Sequence, residues 1–87
     1  MAFNITFSPD GWADYLHWQT EDKKTLRRIN KLLQGLQRDG AASGLGKPEI
    51  LRRIKGMSQR IDDKNRLVYY FEGENLVVLS CRGHYED

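Results

Sequence analysis

The 87-residue sequence has few of the residues that form disulfides or bind metals. Its single cysteine, Cys81, cannot form an internal disulfide, so nothing indicates an oxidising compartment. Its two histidines, His17 and His84, lie far apart in the chain and lack the spacing that is typical of a zinc site. We therefore expect no metal and no other cofactor.

Long apolar runs and nucleotide-binding motifs are also missing. No stretch approaches the roughly 18 consecutive apolar residues of a membrane span, and the first residues, MAFNITFSPDG, lack the basic and apolar segments of a signal peptide. This pattern predicts a soluble, cytoplasmic protein. The chain has no GxGxxG motif, phosphate-binding P-loop or nucleophilic serine elbow. An enzyme built on it would therefore work with its side chains alone.

The sequence does contain enough apolar material for a folded domain, together with an uneven charge distribution. Hydrophobic residues make up 39% of the chain, which is enough for a folded core. The length of 87 residues predicts a single domain over 1–87. The net charge is only +2, yet residues 1–22 carry four acids and no base. The basic residues are concentrated in 23–66, and a basic region of this kind suits a polyanion such as nucleic acid. A merely solvated basic surface is the alternative interpretation.

Local patterns predict a strand and two helices in the first half of the chain. Apolar and polar residues alternate over 3–7, as in a half-buried strand. Ser8 and Pro9 supply an N-cap and a proline at the first helical position, which predicts a helix to about Thr20. Residues 20–22 can cap a second helix that ends at 39–40. The apolar residues at helical spacing in this second helix are Leu26, Ile29, Leu33 and Leu36.

The second half of the chain contains runs typical of strands, after a flexible stretch at 40–48. These runs cover 50–55, 58–62, 66–71 and 76–82, and polar turn residues separate the last three as hairpins. The predicted order is therefore β-α-α-β-β-β-β. It indicates an α+β fold in which both helices pack against one face of a twisted antiparallel sheet.

Four residues in this region have the chemistry for metal-free cleavage of RNA. Such cleavage needs a base for the ribose 2′-hydroxyl, an acid for the departing 5′-oxygen and cations for the charged phosphate. His84 can exchange a proton near neutral pH, and the cations around Glu49 favour the carboxylate that a base requires. Arg60 and Arg66 flank a predicted hairpin turn and can donate hydrogen bonds to phosphate oxygens.

Strand periodicity restricts how the two arginines are arranged. Arg60 and Arg66 share a face of their hairpin only if three or five residues are left unpaired between the strands. Each candidate also has a purely structural interpretation. Glu49 could pair with a neighbouring arginine, and His84 could be an ordinary surface residue near a chain end.

Several motifs, taken together, resemble the YoeB/Txe toxins of the RelE superfamily. They are G-K-P-E at 46–49, S-Q-R-I at 58–61, N-R-L-V-Y at 65–69 and C-R-G-H-Y at 81–85. The run S-P-D-G-W-A-D-Y-L-H-W-Q at 8–19 is similar to the first helix of that family. The resemblance extends over nearly the whole chain, with the motifs in the same order.

The resemblance implies a RelE-like fold and the activity of a type II toxin, a ribosome-dependent endoribonuclease that cuts mRNA in the ribosomal A site. It implies Glu49 as the general base, His84 as the general acid and Arg66 as the main phosphate-stabilising residue. Arg60 corresponds to a second arginine of the site and Tyr85 to the terminal tyrosine. We expect the nearby cations to bind RNA and the ribosome; they are Lys47, Arg52, Arg53 and Lys55.

The same resemblance implies a YefM-type antitoxin as partner and a possible homodimer. Three departures from the family pattern bear on efficiency. Met57 stands where relatives often have an aromatic residue that can stack on a base, Gly83 replaces a bulkier residue before His84, and residues 86–87 extend the chain beyond the usual terminal tyrosine. Two other functions remain open from the sequence: a ParE-like toxin that inhibits gyrase, and a non-catalytic RNA-binding module.

Overall fold

The helices and strands follow the predicted order in the computed structural model, which describes residues 2–84. Two helices and a short 3₁₀ turn lie between the first strand and the other four. The elements are β1 (Asn4–Phe7), α1 (Pro9–Glu21), α2 (Lys23–Asp39), the 3₁₀ turn (Gly40–Ala42), β2 (Glu49–Ile50), β3 (Met57–Arg60), β4 (Arg66–Glu72) and β5 (Asn75–Ser80).

The five strands form one mixed sheet in the order β1-β5-β4-β3-β2. Strands β2 to β5 pair antiparallel, as predicted, but β1 lies parallel to β5 at the opposite edge from β2. A parallel pair needs a long crossover connection, and the whole segment from α1 to β4 separates these two strands in sequence. The antiparallel expectation was therefore wrong for β1, while the α+β arrangement is as expected.

Both helices begin at the N-caps that the sequence indicates. The Ser8 hydroxyl accepts a hydrogen bond from the Gly11 N–H at 3.0 Å, and Pro9 occupies the first turn of α1. The Asp22 carboxylate accepts from the N–H groups of Lys24 and Thr25 at the start of α2. Hydrogen bonds to Thr25 lower the pKa of Asp22, because they favour the ionised carboxylate.

The core lies between α2 and one face of the sheet. The most deeply buried residues of α2 are Ile29, Leu32, Leu33 and Leu36, whereas Leu26, predicted on the same face, is only half-buried. They pack against sheet residues that include Leu67, Tyr69, Leu76 and Val78. Helix α1 contributes the half-buried rings of Tyr15 and Trp18 to the same core.

Strand β2 is much shorter than the predicted strand at 50–55. Only Glu49 and Ile50 pair with β3, and the Leu51 N–H then donates to the Gly56 carbonyl at 2.9 Å. This bond closes residues 52–55 into a loop. The run ILRRIK at 50–55 therefore does not form the predicted strand, because its backbone turns back at Leu51.

Strand β5 also ends earlier than predicted, at Ser80 instead of residue 82. The next peptide groups bond to α1: the Cys81 N–H donates to Asp14 Oδ2 at 3.0 Å, and Trp18 Nε1 donates to the Cys81 carbonyl at 2.9 Å. Burial, with a smaller effect of Asp14, raises the pKa of the Cys81 thiol to about 12. The thiol therefore stays protonated near neutral pH and belongs to the core. Neither helix of residues 2–84 is long and apolar enough to cross a membrane.

Helix α1 comes close to the backbone of β5 at Gly11, so we predict that Gly11→Ala destabilises the fold. A Cβ atom at this position would collide with the Val78 carbonyl oxygen, which is backbone in the middle of the sheet. We expect the steric strain to exceed the gain in helix propensity and to lower the free energy of unfolding by about 1–3 kcal/mol, measured in urea. Gly44→Ala is the control, because a Cβ there meets no atom within 4 Å. Equal stability of the two variants would contradict this packing.

Candidate functional site

The candidate residues lie on the sheet face that points away from the helices. The strand register aligns Glu49 with Ser58, Ser58 with Val68 and Val68 with Ser80. Because cross-strand partners share a face, these residues lie on the same side of the sheet. Two residues further along β3 and β4, Arg60 and Arg66 are direct partners on the same face. The intervening positions, such as Gln59 and Leu67, are fully buried on the core side. The register thus brings the base candidate and both arginines onto one surface.

The arginine pair confirms the expectation from strand periodicity. Five residues, 61–65, separate Arg60 from Arg66, and the two Cα positions are in register. Two like charges directly opposite each other repel. Each arginine has its own carboxylate partner: Asp63 pairs with Arg60, and Glu49 lies 3.9 Å from Arg66. The carboxylates offset the repulsion and direct the guanidinium groups apart.

Arg66 is the most enclosed charged residue of this surface, with a side chain 17% exposed. Its Nε donates to the Ser58 hydroxyl at 2.9 Å. Its Nη2 is buried and makes no hydrogen bond to the described residues, since the 3.9 Å to Glu49 Oε1 is too long for one. The guanidinium is therefore held by Ser58, and one of its nitrogens lies buried without a hydrogen-bond acceptor among the described residues.

The loop before Glu49 is shaped by two residues with positive φ angles. Gly46 has φ 68° and its carbonyl accepts from the Arg60 N–H, while Lys47 has φ 50°. A Cβ atom on Gly46 would lie 2.8 Å from the Gln59 Cβ, so only glycine fits against β3 here. Positive φ is uncommon for lysine and places Lys47 in a strained turn next to Glu49.

His84 lies at the end of a segment that is fixed beside Arg66. The Arg66 N–H donates to the Gly83 carbonyl at 3.0 Å, and the Gly83 N–H donates to Asn65 Oδ1 at 2.7 Å. Gly83 has φ 82°, a conformation that a bulky residue rarely adopts. The His84 side chain is exposed. Tyr85, the remaining predicted site residue, lies outside the described residues.

A groove of about 620 Å³ lies at the β2 edge of the sheet, beside three of the predicted RNA-binding cations. Its lining is mostly apolar and includes Tyr70 together with Ile50, which is 82% exposed, and Met57. Ile50 and Met57 pair with each other on the sheet face opposite to Glu49. The exposed residues Arg52, Arg53 and Lys55 belong to its lining, and Lys47 precedes the edge strand. Within residues 2–84, no three His, Cys, Asp or Glu side chains gather to hold a metal ion.

Sequence reasoning missed three residues of this region. Ser58 could have been found from its two-residue spacing to Arg60, which puts both on one strand face. Tyr70 shares the face of Arg66 by the same alternation along β4. Asn65 carried no such signal, because its contact with Gly83 joins positions 18 residues apart in the sequence.

Comparison with known proteins identifies the family of this chain. A family model described as the YoeB-like toxin of bacterial type II toxin–antitoxin systems matches residues 7–85. The Streptomyces coelicolor toxin YoeB is 46% identical over 83 residues, covering 93% of this chain and 98% of that protein. Toxin RelK of Mycobacterium tuberculosis is 45% identical over 84 residues, with 94% and 98% coverage.

The solved structures give the same result. The YoeB dimer from Staphylococcus aureus superposes with a TM-score of 0.88 at 42% identity, covering 98% of this chain and all of that one. A toxin–antitoxin complex, RelBE2 from M. tuberculosis, has a TM-score of 0.69 at 18% identity, which bears on the fold alone and confirms the RelE-like prediction. The chain therefore belongs to the family of YoeB-like toxins of bacterial type II toxin–antitoxin systems.

Proposed function

We propose that this toxin is a cytoplasmic, ribosome-dependent endoribonuclease that cuts mRNA in the A site and so stops translation. The observation that carries the proposal is how the Arg66 side chain is held. Its guanidinium is held by Ser58 next to Glu49, and its buried Nη2 has no hydrogen-bond partner among residues 2–84. A buried donor without a partner is costly, and a phosphate oxygen is a good acceptor for it.

The reaction needs a base and an acid on either side of this phosphate. Glu49 takes the proton from the ribose 2′-hydroxyl, and the 2′-oxygen then bonds to phosphorus. The bond from phosphorus to the 5′-oxygen breaks, and His84 gives that oxygen a proton. Arg66 and Arg60 stabilise the extra negative charge that the pentacoordinate phosphate carries. The products are a 2′,3′-cyclic phosphate and a 5′-hydroxyl, and no metal takes part.

The exposure of the two proposed proton-transfer groups supports these roles. The Glu49 side chain is 67% exposed and lies beyond hydrogen-bond distance of Arg66, so its oxygens can reach a ribose. His84 is also exposed, while the backbone that carries it is hydrogen-bonded to the Asn65–Arg66 end of β4. In this arrangement the substrate phosphate lies over Arg66. Glu49, the base, approaches it from the sheet edge, and His84, the acid, approaches it from the chain end.

We expect Glu49→Gln and His84→Ala each to slow cleavage by about 10²- to 10⁴-fold, the usual contribution of a placed base or acid. The measurement is a translation reaction with purified protein, in which mRNA 5′ ends are mapped by primer extension and the end groups are identified. Glu74→Gln and His17→Ala are the matched controls, because Glu74 lies in the β4–β5 turn and His17 on α1. Both controls should cut at the wild-type rate.

Two results would contradict this mechanism. A 5′-phosphate at the cut would mean that an external water attacked the phosphorus, so the proposed attack by the 2′-hydroxyl would be wrong. Wild-type cleavage by either Glu49→Gln or His84→Ala would remove that residue from its role. Binding of both variants to the ribosome should stay close to normal, since neither side chain belongs to the cations that are proposed to bind the ribosome.

We further propose that the groove and its cations bind RNA on the ribosome. Exposed bases stack on aromatic side chains while cations follow the phosphates, and the groove combines Tyr70 with Arg52, Arg53 and Lys55. Tyr70 is half-buried and shares the face of Arg66, whereas Met57 lies on the opposite face and offers no ring.

Replacing Lys47, Arg52, Arg53 or Lys55 by Ala should weaken ribosome binding and reduce the magnitude of its salt slope by about 1 for each phosphate that is no longer neutralised. Ribosome affinity is measured across a salt series, together with the cleavage rate at saturation. Lys31→Ala, an exposed cation on α2, is the control with an unchanged slope. An equal effect of Lys31→Ala would indicate a general charge effect without a defined surface.

The proposed partner is a YefM-type antitoxin. A solved complex from S. aureus, with a TM-score of 0.86 and 41% identity to this chain, is a heterotetramer of YoeB and YefM. The S. aureus YoeB dimer likewise supports a homodimer here. A basic surface with an apolar groove suits an acidic antitoxin segment that folds as it binds.

We expect co-expression with this antitoxin to yield a stable complex that no longer cuts mRNA, because the bound segment covers Arg52, Arg60 and Arg66. The complex and the free toxin are compared in the same primer-extension assay. A toxin variant carrying Lys31→Ala should still form the complex. A complex as active as the free toxin would show that the antitoxin leaves this surface open.

A further inference from the structure

The turn between β3 and β4 is organised around the carboxylate of Asp62. Asp62 Oδ1 accepts hydrogen bonds from the backbone N–H groups of Lys64 and Asn65, both at 2.8 Å. The side-chain Nδ2 of Asn65 also donates to Asp62, at 3.0 and 3.1 Å to its two oxygens. Because Nδ2 faces Asp62, the orientation of the Asn65 amide is fixed, and its oxygen is directed elsewhere.

That oxygen holds the backbone just before His84. Asn65 Oδ1 accepts from the Gly83 N–H at 2.7 Å, and the Arg66 N–H donates to the Gly83 carbonyl at 3.0 Å. The two peptide planes on either side of the Gly83 Cα are thereby both fixed. The second of these planes contains the His84 nitrogen, so the two bonds together determine where the His84 backbone begins.

The same segment is anchored a second time, at Cys81, by Asp14 and Trp18 of α1. Arg82 is exposed between the two anchors. A segment this close to a chain end usually frays, and its order depends on what holds its backbone. Gly83 makes two hydrogen bonds here. The bond that its N–H donates to Asn65 involves a side chain, so it can be removed by substitution.

We propose that Asn65 is a positioning residue for the proton transfer by His84, acting through the Gly83 N–H. The proposal rests on the acid role of His84 proposed above. Asn65 is not itself a proton donor or acceptor in the reaction, because an amide is neither an acid nor a base near neutral pH and both of its polar atoms are engaged. Its effect is on the geometry of the group that reacts.

If Asn65 served only to hold the turn together, removal of its side chain should open the hairpin. The turn retains the Asp62 bonds to the backbone N–H groups of Lys64 and Asn65 when the Asn65 side chain is removed. It also retains the bond from the Ile61 N–H to the Asn65 carbonyl at 3.0 Å. Asn65→Ala should therefore leave the hairpin closed and release mainly the segment that carries His84.

The first test compares Asn65→Ala with Asn75→Ala in single-turnover cleavage on programmed ribosomes. Asn75 begins β5 at the far end of the hairpin from Arg66 and serves as the matched control. We expect Asn65→Ala to lower the rate at saturation by about 10- to 100-fold, as small displacements of reacting groups do, with the half-saturating ribosome concentration unchanged. Asn75→Ala should match the wild type in both quantities.

The second test places Asn65→Ala in a His84→Ala background. If Asn65 acts through His84, the double variant should cut as fast as His84→Ala alone, because the positioned group is already missing. A substitution that loosens the fold would instead lower the remaining activity further. Hydrogen exchange of the Gly83 amide in the wild-type protein gives a readout without cleavage. This N–H should be protected, and Asn65→Ala should expose it while the β4 amides beyond Arg66 stay protected.

Four results would overturn the proposal. They are wild-type cleavage by Asn65→Ala, a loss confined to ribosome binding, an equal loss in the presence and absence of His84, and an unprotected Gly83 amide in the wild-type protein. Failure of the proposed acid role looks different, since His84→Ala itself would then cut normally. The two conclusions can thus be separated within one set of variants.

Discussion

The close packing of α1 on β5 is the constraint on which the rest of the molecule depends. Strand β5 lies between β1 and β4, and the absence of a side chain at Gly11 lets the helix approach the Val78 carbonyl. Ser8 adds two bonds to the same strand, from its N–H to Val78 and from its hydroxyl to Leu79. This contact places α1 where Asp14 and Trp18 can hold Cys81, and through it the segment that ends in His84.

The second organising feature is the separation of functions between the two faces of the sheet. One face is filled by apolar side chains beneath α2, and the other carries Arg60, Arg66 and Glu49. Charge on an exposed face contributes little to stability, because water and salt screen it. The sheet can therefore concentrate cations there without weakening the core, and the carboxylates of Glu49 and Asp63 limit the repulsion between the arginines.

Local sequence signals predicted the local parts of this structure well. The N-cap and proline at Ser8–Pro9 start α1. Strand periodicity gave the turn lengths that would put Arg60 and Arg66 on one face, and the structure has one of them. Features that depend on partners distant in sequence were not predicted: the parallel pairing of β1 with β5, and the hydrogen bond from the Gly83 N–H to Asn65. A single sequence contains the period of a strand but not the identity of its neighbour. For this reason it indicated candidate residues for the site and not the contacts that hold them.

The two-residue length of β2 has a consequence for the thermodynamics of the site. Glu49 lies on a short edge strand, whereas Arg66 begins a seven-residue strand paired on both sides. Segments with few ladder bonds open locally at a much lower free energy than core strands do. In the proposed mechanism, local opening of β2 would displace the carboxylate and leave Arg66 in place, so the cleavage rate would scale with the population in which both are assembled.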